Sequence, residues 1–160
     1  EGLFLGVGRF DDAGFVGVLD VTGEDVQAGP FVAVVVCGAH LDGQPLNWQL
    51  VDRHSVLKKV TKTTANYALY ALPDGKRPAL VPVRDQTGAA IEVEVWRMPM
   101  AQLGSFVAGI PSPLGIGKVT LESGENLPGF ICEEGGLTGA EDISRFGSWR
   151  TYLAATNKQE

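Results

Sequence analysis

The sequence has little of what metal, membrane and nucleic-acid chemistry requires. Two cysteines, Cys37 and Cys132, and two histidines, His40 and His54, stand among 160 residues. Their spacing matches no zinc pattern, so neither a metal nor another cofactor is expected. Both cysteines lie in apolar, strand-like runs. That placement predicts buried, reduced thiols in a cytoplasmic protein, although spacing alone leaves a disulfide open. The 13 basic residues form no stripe against 19 acidic ones, and the net charge of −6 argues against a nucleic-acid partner. No apolar stretch is long enough to span a bilayer, so no membrane partner is expected. The opening EGLFLGVGRF lacks the charged start and continuous apolar segment of a signal peptide. A start at Glu1 rather than Met points to a piece of a longer protein. Also missing are a Gly-x-Ser-x-Gly elbow, a phosphate loop ending in Gly-Lys-Ser/Thr, and a Gly-x-Gly-x-x-Gly turn opening a helix.

What is present suffices for one domain, since 44% of the residues are hydrophobic. The 21 glycines and 9 prolines cut the chain into short pieces, as a strand-rich fold with tight turns requires. Residues 1–30 read as an N-terminal segment or linker remnant, and residues 31–157 as the domain. FVAVVVC, a continuous β-branched run from Phe31, predicts a central strand. LNWQLVDR predicts a short helix with Asn47 near its start. VLKKVTKT and YALYAL predict strands, and PDGKRP a turn. ALVPV predicts an edge strand or a bulge, because Pro82 has no N–H for a second neighbour. AAIEVEVWRM alternates, with Ile91, Val93 and Val95 on one face and Glu92, Glu94 and Trp96 on the other. PMAQLGSFVAGI predicts a helix opening at Pro99, with Leu103, Phe106, Val107 and Ile110 facing inward. GKVTLESGENLPGFICE reads as a hairpin around ESGEN. AEDISRFGSWRTYLAA reads as mostly helical, with Ser148 capping its last helix. Mixed strands with helices inserted late define an α+β chain.

His40 is the residue this pattern singles out. It follows Gly38-Ala39 at the exit of the central strand, where loops on a rigid base carry reactive groups. Glycine lets the chain turn there and lets successive N–H groups face a cavity and bind an anion. An imidazole beside such a nest can pass a proton to a bound dianion. The plainer alternative is a loop histidine satisfied by a backbone carbonyl. His54, in DRHSV, reads as a surface residue. Glu92 and Glu94 read first as a solvated outer face. Should the sheet curl, that face lines the interior and one carboxylate orients a histidine or acts as a base.

Longer stretches carry a family likeness: VAVVVCGAHLDGQPLNWQL, YALYALPDG, AAIEVEVWRMP, LGSFVAGIPSPLGIGKVTLESG, and GFICE followed by GAEDISRFGSWRTYL. They closely resemble the C-terminal domain of allophanate hydrolases, over roughly Phe31 to Ala154. PSPLGIGKV and GAEDIS are the most specific pieces. The resemblance implies a γ-glutamylcyclotransferase-like fold, a small mixed β-barrel with flanking helices. It also implies a place in urea and cyanuric acid degradation. There an amidase domain removes ammonia from allophanate and leaves N-carboxycarbamate, and the C-terminal domain is implicated in decarboxylating that product. The amidase machinery, a Ser-Ser tract with a partner lysine, is absent from this chain.

By the same resemblance His40 is the expected catalytic residue. Gly38, Ala39, Leu41, Asn47, Tyr70 and Glu94 are expected around a small dianionic substrate, N-carboxycarbamate. Cys37 to Leu41 falls where cyclotransferases carry a Tyr-Gly-Ser-type loop. Their catalytic glutamate has no counterpart in MAQLGSFVAGI, so cyclotransferase chemistry requires Glu92 or Glu94 beside that loop. An amidase domain is the expected partner. In an alternative, non-catalytic assembly role the chain binds that domain or further copies of itself, through AEDISRFGSWRTYL and the Pro82 strand.

Overall fold

The structure, a computed structural model, describes residues 29–85 and 87–157, and within residues 1–28 only four two-residue strands. Those strands pair antiparallel, β1 (Leu5–Gly6) with β4 (Leu19–Asp20) and β2 (Phe10–Asp11) with β3 (Gly14–Phe15). The remaining expectations for residues 1–28 fall outside the described residues.

From Phe31 the order is β5 (Phe31–Val36), α1 (Trp48–Val51), β6 (Val56–Lys62), β7 (Tyr67–Ala71), β8 (Pro78–Pro82) and β9 (Glu92–Pro99). Then come α2 (Met100–Ala108), β10 (Leu114–Thr120), β11 (Asn126–Cys132), β12 (Glu141–Asp142) and α3 (Trp149–Asn157). The larger sheet runs β10-β11-β5-β9-β6, so the FVAVVV run is its central strand. Val34, Val35 and Val36 are all buried, as an apolar run covered on both faces must be. β5 pairs antiparallel with β9 and parallel with β11, where Val35 stands opposite Gly129. A Cβ at Gly129 would sit 2.8 Å from Val35 and Val119 side-chain carbons, so only glycine lets the strands approach there. The smaller sheet runs β12-β7-β8 and puts the Pro82 strand at an edge.

The larger sheet curls until its edges meet at one end. Thr63 bridges Leu121, and Thr64 N–H donates to the Thr120 carbonyl at 3.0 Å. Among the described residues no strand ladder joins β6 to β10, so the arrangement is α+β but the barrel expected from the sequence does not close.

Two further expectations are corrected. The Glu94 and Trp96 face of β9 is not solvated: Glu94 is 1% exposed and Trp96 is buried. The curl and the C-terminal segment cover that face, and Arg150 of α3 reaches Glu94. The AEDISRFGSWRTYL stretch contributes Ile143 and Trp149 to the main apolar cluster, while Glu141, Asp142, Arg145 and Thr151 stay exposed. It is also less helical than expected. β12 and a short 3-10 turn (Ser144–Phe146) precede Gly147, whose φ of 69° reverses the chain. Ser148 Oγ then accepts the Thr151 N–H at 3.0 Å, the cap its position predicted. On α2, Phe106 is buried but Val107 is 40% exposed, so the apolar face is narrower than the spacing implied.

Truncating a fully buried branched side chain leaves a cavity as well as losing its transfer energy. Ile143→Ala is therefore expected to lower unfolding stability by about 2–5 kcal/mol, measured by urea denaturation. An unchanged midpoint would contradict the burial of Ile143.

Candidate active site

The chain leaves β5 at Val36 and turns at once. Leu41 N–H donates to the Gly38 carbonyl at 3.0 Å, and Leu46 N–H to the Ala39 carbonyl at 2.8 Å. Asn47 Nδ2 donates to the His40 carbonyl at 2.9 Å and ties the loop to the start of α1. The N–H groups of Ala39 and His40 find no acceptor among the described residues. A Cβ at Gly38 would collide with the ring of Pro78, so glycine lets β8 pack directly on this turn.

His40 is fixed from three sides. Its Nε2 lies 2.9 Å from Gln49 Oε1, a contact from α1. Its ring stacks on Phe130 at 4.8 Å between centroids and meets the edge of Phe106 at 5.3 Å. In the tautomer that donates from Nε2 to Gln49 Oε1, Nδ1 is the basic nitrogen. Burial lowers the His40 pKa from its usual value. The Gln49 hydrogen bond opposes this, and the nearby Arg53 charge adds to it. The imidazole is therefore mainly neutral at pH 7.

A small solvent-open cleft lies against this turn. Gly38, Ala39 and His40 form one wall, and Ile110, Leu114 and Phe130 give it an apolar lining. Arg77, from the turn before β8, also lines it. The Arg77 Nε donates to Asp74 Oδ2 at 2.7 Å, while its Nη1 is buried without a hydrogen-bond partner among the described residues. A buried guanidinium N–H without a partner is costly.

The expected site residues thus divide. Gly38, Ala39 and His40 line the cleft, and Asn47 supports it from behind. Leu41 is in the main core, and Tyr70 packs with Leu72, Ala79 and Cys132 in a second apolar cluster. Glu94 touches the loop at Asp42 but does not line the cleft, nor does any other carboxylate among the described residues. His54 is exposed, as its sequence setting suggested, and adopts a left-handed backbone, with φ of 58°. Two residues were missed. Arg77 was hidden inside a turn motif, and its clue was a cation next to the proline that packs on Gly38. Gln49 carried no local signal, because only the loop geometry brings it to His40.

Both cysteines are free thiols in the interior, and burial pushes the Cys37 pKa up to about 12. Among the described residues no cluster of three or more His, Cys, Asp or Glu is placed to hold a metal. No helix among them is long and apolar enough to cross a membrane.

A curled mixed sheet with helices at its margins defines an α+β protein with a cleft at the end of its central strand. The model of the family described as allophanate hydrolase C-terminal domain matches residues 32–154. The chain is 41% identical over 145 residues to urea amidolyase of Saccharomyces cerevisiae, covering 88% of this chain and 8% of that one. It resembles the solved Kluyveromyces lactis allophanate hydrolase with a TM-score of 0.77 and 39% identity, covering 92% of this chain and 26% of that one. A solved uropathogenic E. coli-specific protein is 27% identical with a TM-score of 0.74, covering 78% of this chain and 97% of that one. The chain belongs to the allophanate hydrolase C-terminal domain family.

A buried histidine that stays neutral makes stability depend on pH. The folded state disfavours the imidazolium, so the unfolded chain binds the extra proton first. His40's contribution is complete above the unfolded value, near 6.5. It is lost as pH falls through the lowered folded value. Thermal melts across this window are expected to show falling stability on acidification, with a shallower slope in His40→Asn. Parallel slopes would contradict the burial.

Proposed function

We propose that residues 31–157 form a domain that assists decarboxylation of N-carboxycarbamate, after the amidase step of urea and cyanuric acid degradation in the cytoplasm. One observation carries this reading. His40 and Arg77 line one cleft, and Arg77 Nη1 has no hydrogen-bond partner among the described residues. The free N–H groups of Ala39 and His40 add neutral donors for a carboxylate.

The reaction needs an anion site and one proton. Loss of CO2 breaks a C–N bond and leaves the electron pair on nitrogen. A proton delivered from His40 to that nitrogen completes carbamate. The empty site keeps His40 neutral, but a bound dianion favours the imidazolium and recruits the proton as substrate arrives. Arg77 holds one carboxylate while the other departs. A positioned acid of this kind contributes about 10²–10⁴-fold.

The test supplies allophanate to an amidase domain lacking this region and follows CO2 release. The wild-type chain is expected to accelerate release, and His40→Asn to lose the acceleration while melting as wild type does. Equal rates with wild type, mutant and no added chain would overturn the reading. In the same assay Arg77→Met removes a charged hydrogen-bond donor worth about 1.5–3 kcal/mol. It is expected to raise KM more than tenfold, with a smaller change in kcat; an unchanged KM would take Arg77 out of the substrate site.

A second reading, a docking module for an amidase domain, is favoured by apolar side chains left in solvent. Trp48 is 55% exposed, and Val51, Val56 and Val60 are similarly open. In this reading Val60→Glu weakens association with the amidase domain in calorimetry and leaves CO2 release by this chain unchanged. A chain that remains monomeric and binds no amidase domain counts against it.

A further inference from the structure

The Glu94 carboxylate lies behind the His40 turn, away from the cleft. Its Oε2 accepts the Asp42 N–H at 2.9 Å and the Trp96 Nε1–H at 2.9 Å. Its Oε1 accepts Arg150 Nη2–H at 2.9 Å. That same Arg150 nitrogen donates to the Asp42 carbonyl at 2.7 Å. Asp42 is therefore gripped at both of its backbone polar groups by one charge pair, two residues after His40. Its own side chain is exposed, and the next residue is Gly43 with φ of 76°. Glycine gives the chain freedom there, so the end of the turn is fixed from outside. The other end is fixed by the Pro78 packing and the Asn47 bond. Arg150 belongs to the C-terminal helix and does not line the cleft.

We propose that Arg150 is a positioning residue for His40. Through Glu94 and the Asp42 backbone, α3 sets the angle at which the Gly38-to-Leu41 turn presents the imidazole to the cleft. The kinetic consequence rests on the decarboxylation reading, whereas the position of the imidazole does not. A staple that only stabilised the fold would lower the melting temperature and leave the imidazole environment alone.

The sequence holds two histidines, so His54 serves as an internal reference for His40 in a nitrogen-15 NMR titration of the 160-residue chain. The charged groups facing His40 are Arg53, beside it, and Arg77, across the cleft. In Arg150→Ala the turn is expected to loosen and His40 to regain solvent. Its titration midpoint then rises toward the ordinary imidazole value, while that of His54 stays. The kcat for CO2 release falls roughly ten- to hundredfold, as misplacement of a reacting group does, with KM changed less. Arg150 is about a third exposed, so added guanidinium ion at non-denaturing concentration can reach the vacated place and is expected to restore both readouts. Arg150→Lys keeps the charge beside Glu94 and falls between. Should Arg150→Ala fail to fold, the Lys variant decides by the same midpoint. An unmoved His40 midpoint in the folded variant overturns the proposal. If the wild-type chain does not accelerate CO2 release, the decarboxylation reading falls, and the His40 midpoint still decides the positioning role.

Discussion

A carboxylate taken into a protein interior has to be paired on every side, and Glu94 is the carboxylate this fold takes in. Removing one partner of such a pair costs about 3–5 kcal/mol, because the other charge is left buried alone. Glu94 sits on β9, its donors come from β9, the His40 loop and α3, and the three must be in place together. That requirement joins residues more than fifty positions apart in the chain. It explains why the C-terminal segment contributes to the core, and why a strand that alternates charged and apolar residues is covered on both faces.

The same economy of charge shapes the cleft. The protein carries a net charge of −6, yet among the described residues no carboxylate lines the wall that faces His40. Asp74, the acid nearest that wall's cation, is engaged by Arg77 Nε and by the backbone N–H of Lys76 and Arg77, which hold its carboxyl below the usual range. Arg77 Nη1 is left buried without a hydrogen-bond partner among the described residues. Apolar walls lower the local dielectric and lengthen the reach of that one cation and of the free turn N–H groups. Aromatic rings confine the His40 imidazole at the same wall.

Much of this was legible in residue order. The β-branched run from Phe31 could only be a central strand. The hairpin around ESGEN, the Ser148 cap and the Gly38-to-His40 exit all follow from local chemistry. The face of Glu94 and Trp96 was not legible, because alternation describes which residues share a face and not what covers it. Helical spacing put Val107 inward, yet it is 40% exposed, because spacing gives a helix face and not how much of that face is covered. The barrel was expected from family likeness, and the ladder needed to close it is replaced by a single bridge at Thr63 and Leu121.

The sequence by itself determined the elements, the family and the histidine on its glycine turn, since each rests on contacts between near neighbours or on ordered motifs. Only the tertiary structure decided which groups surround that histidine. Gln49, Arg77, Phe130 and the Arg150–Glu94 clamp come from five separate elements or turns. A hydrogen bond depends on distance in space, and the folding of a curled sheet sets that distance where residue order does not.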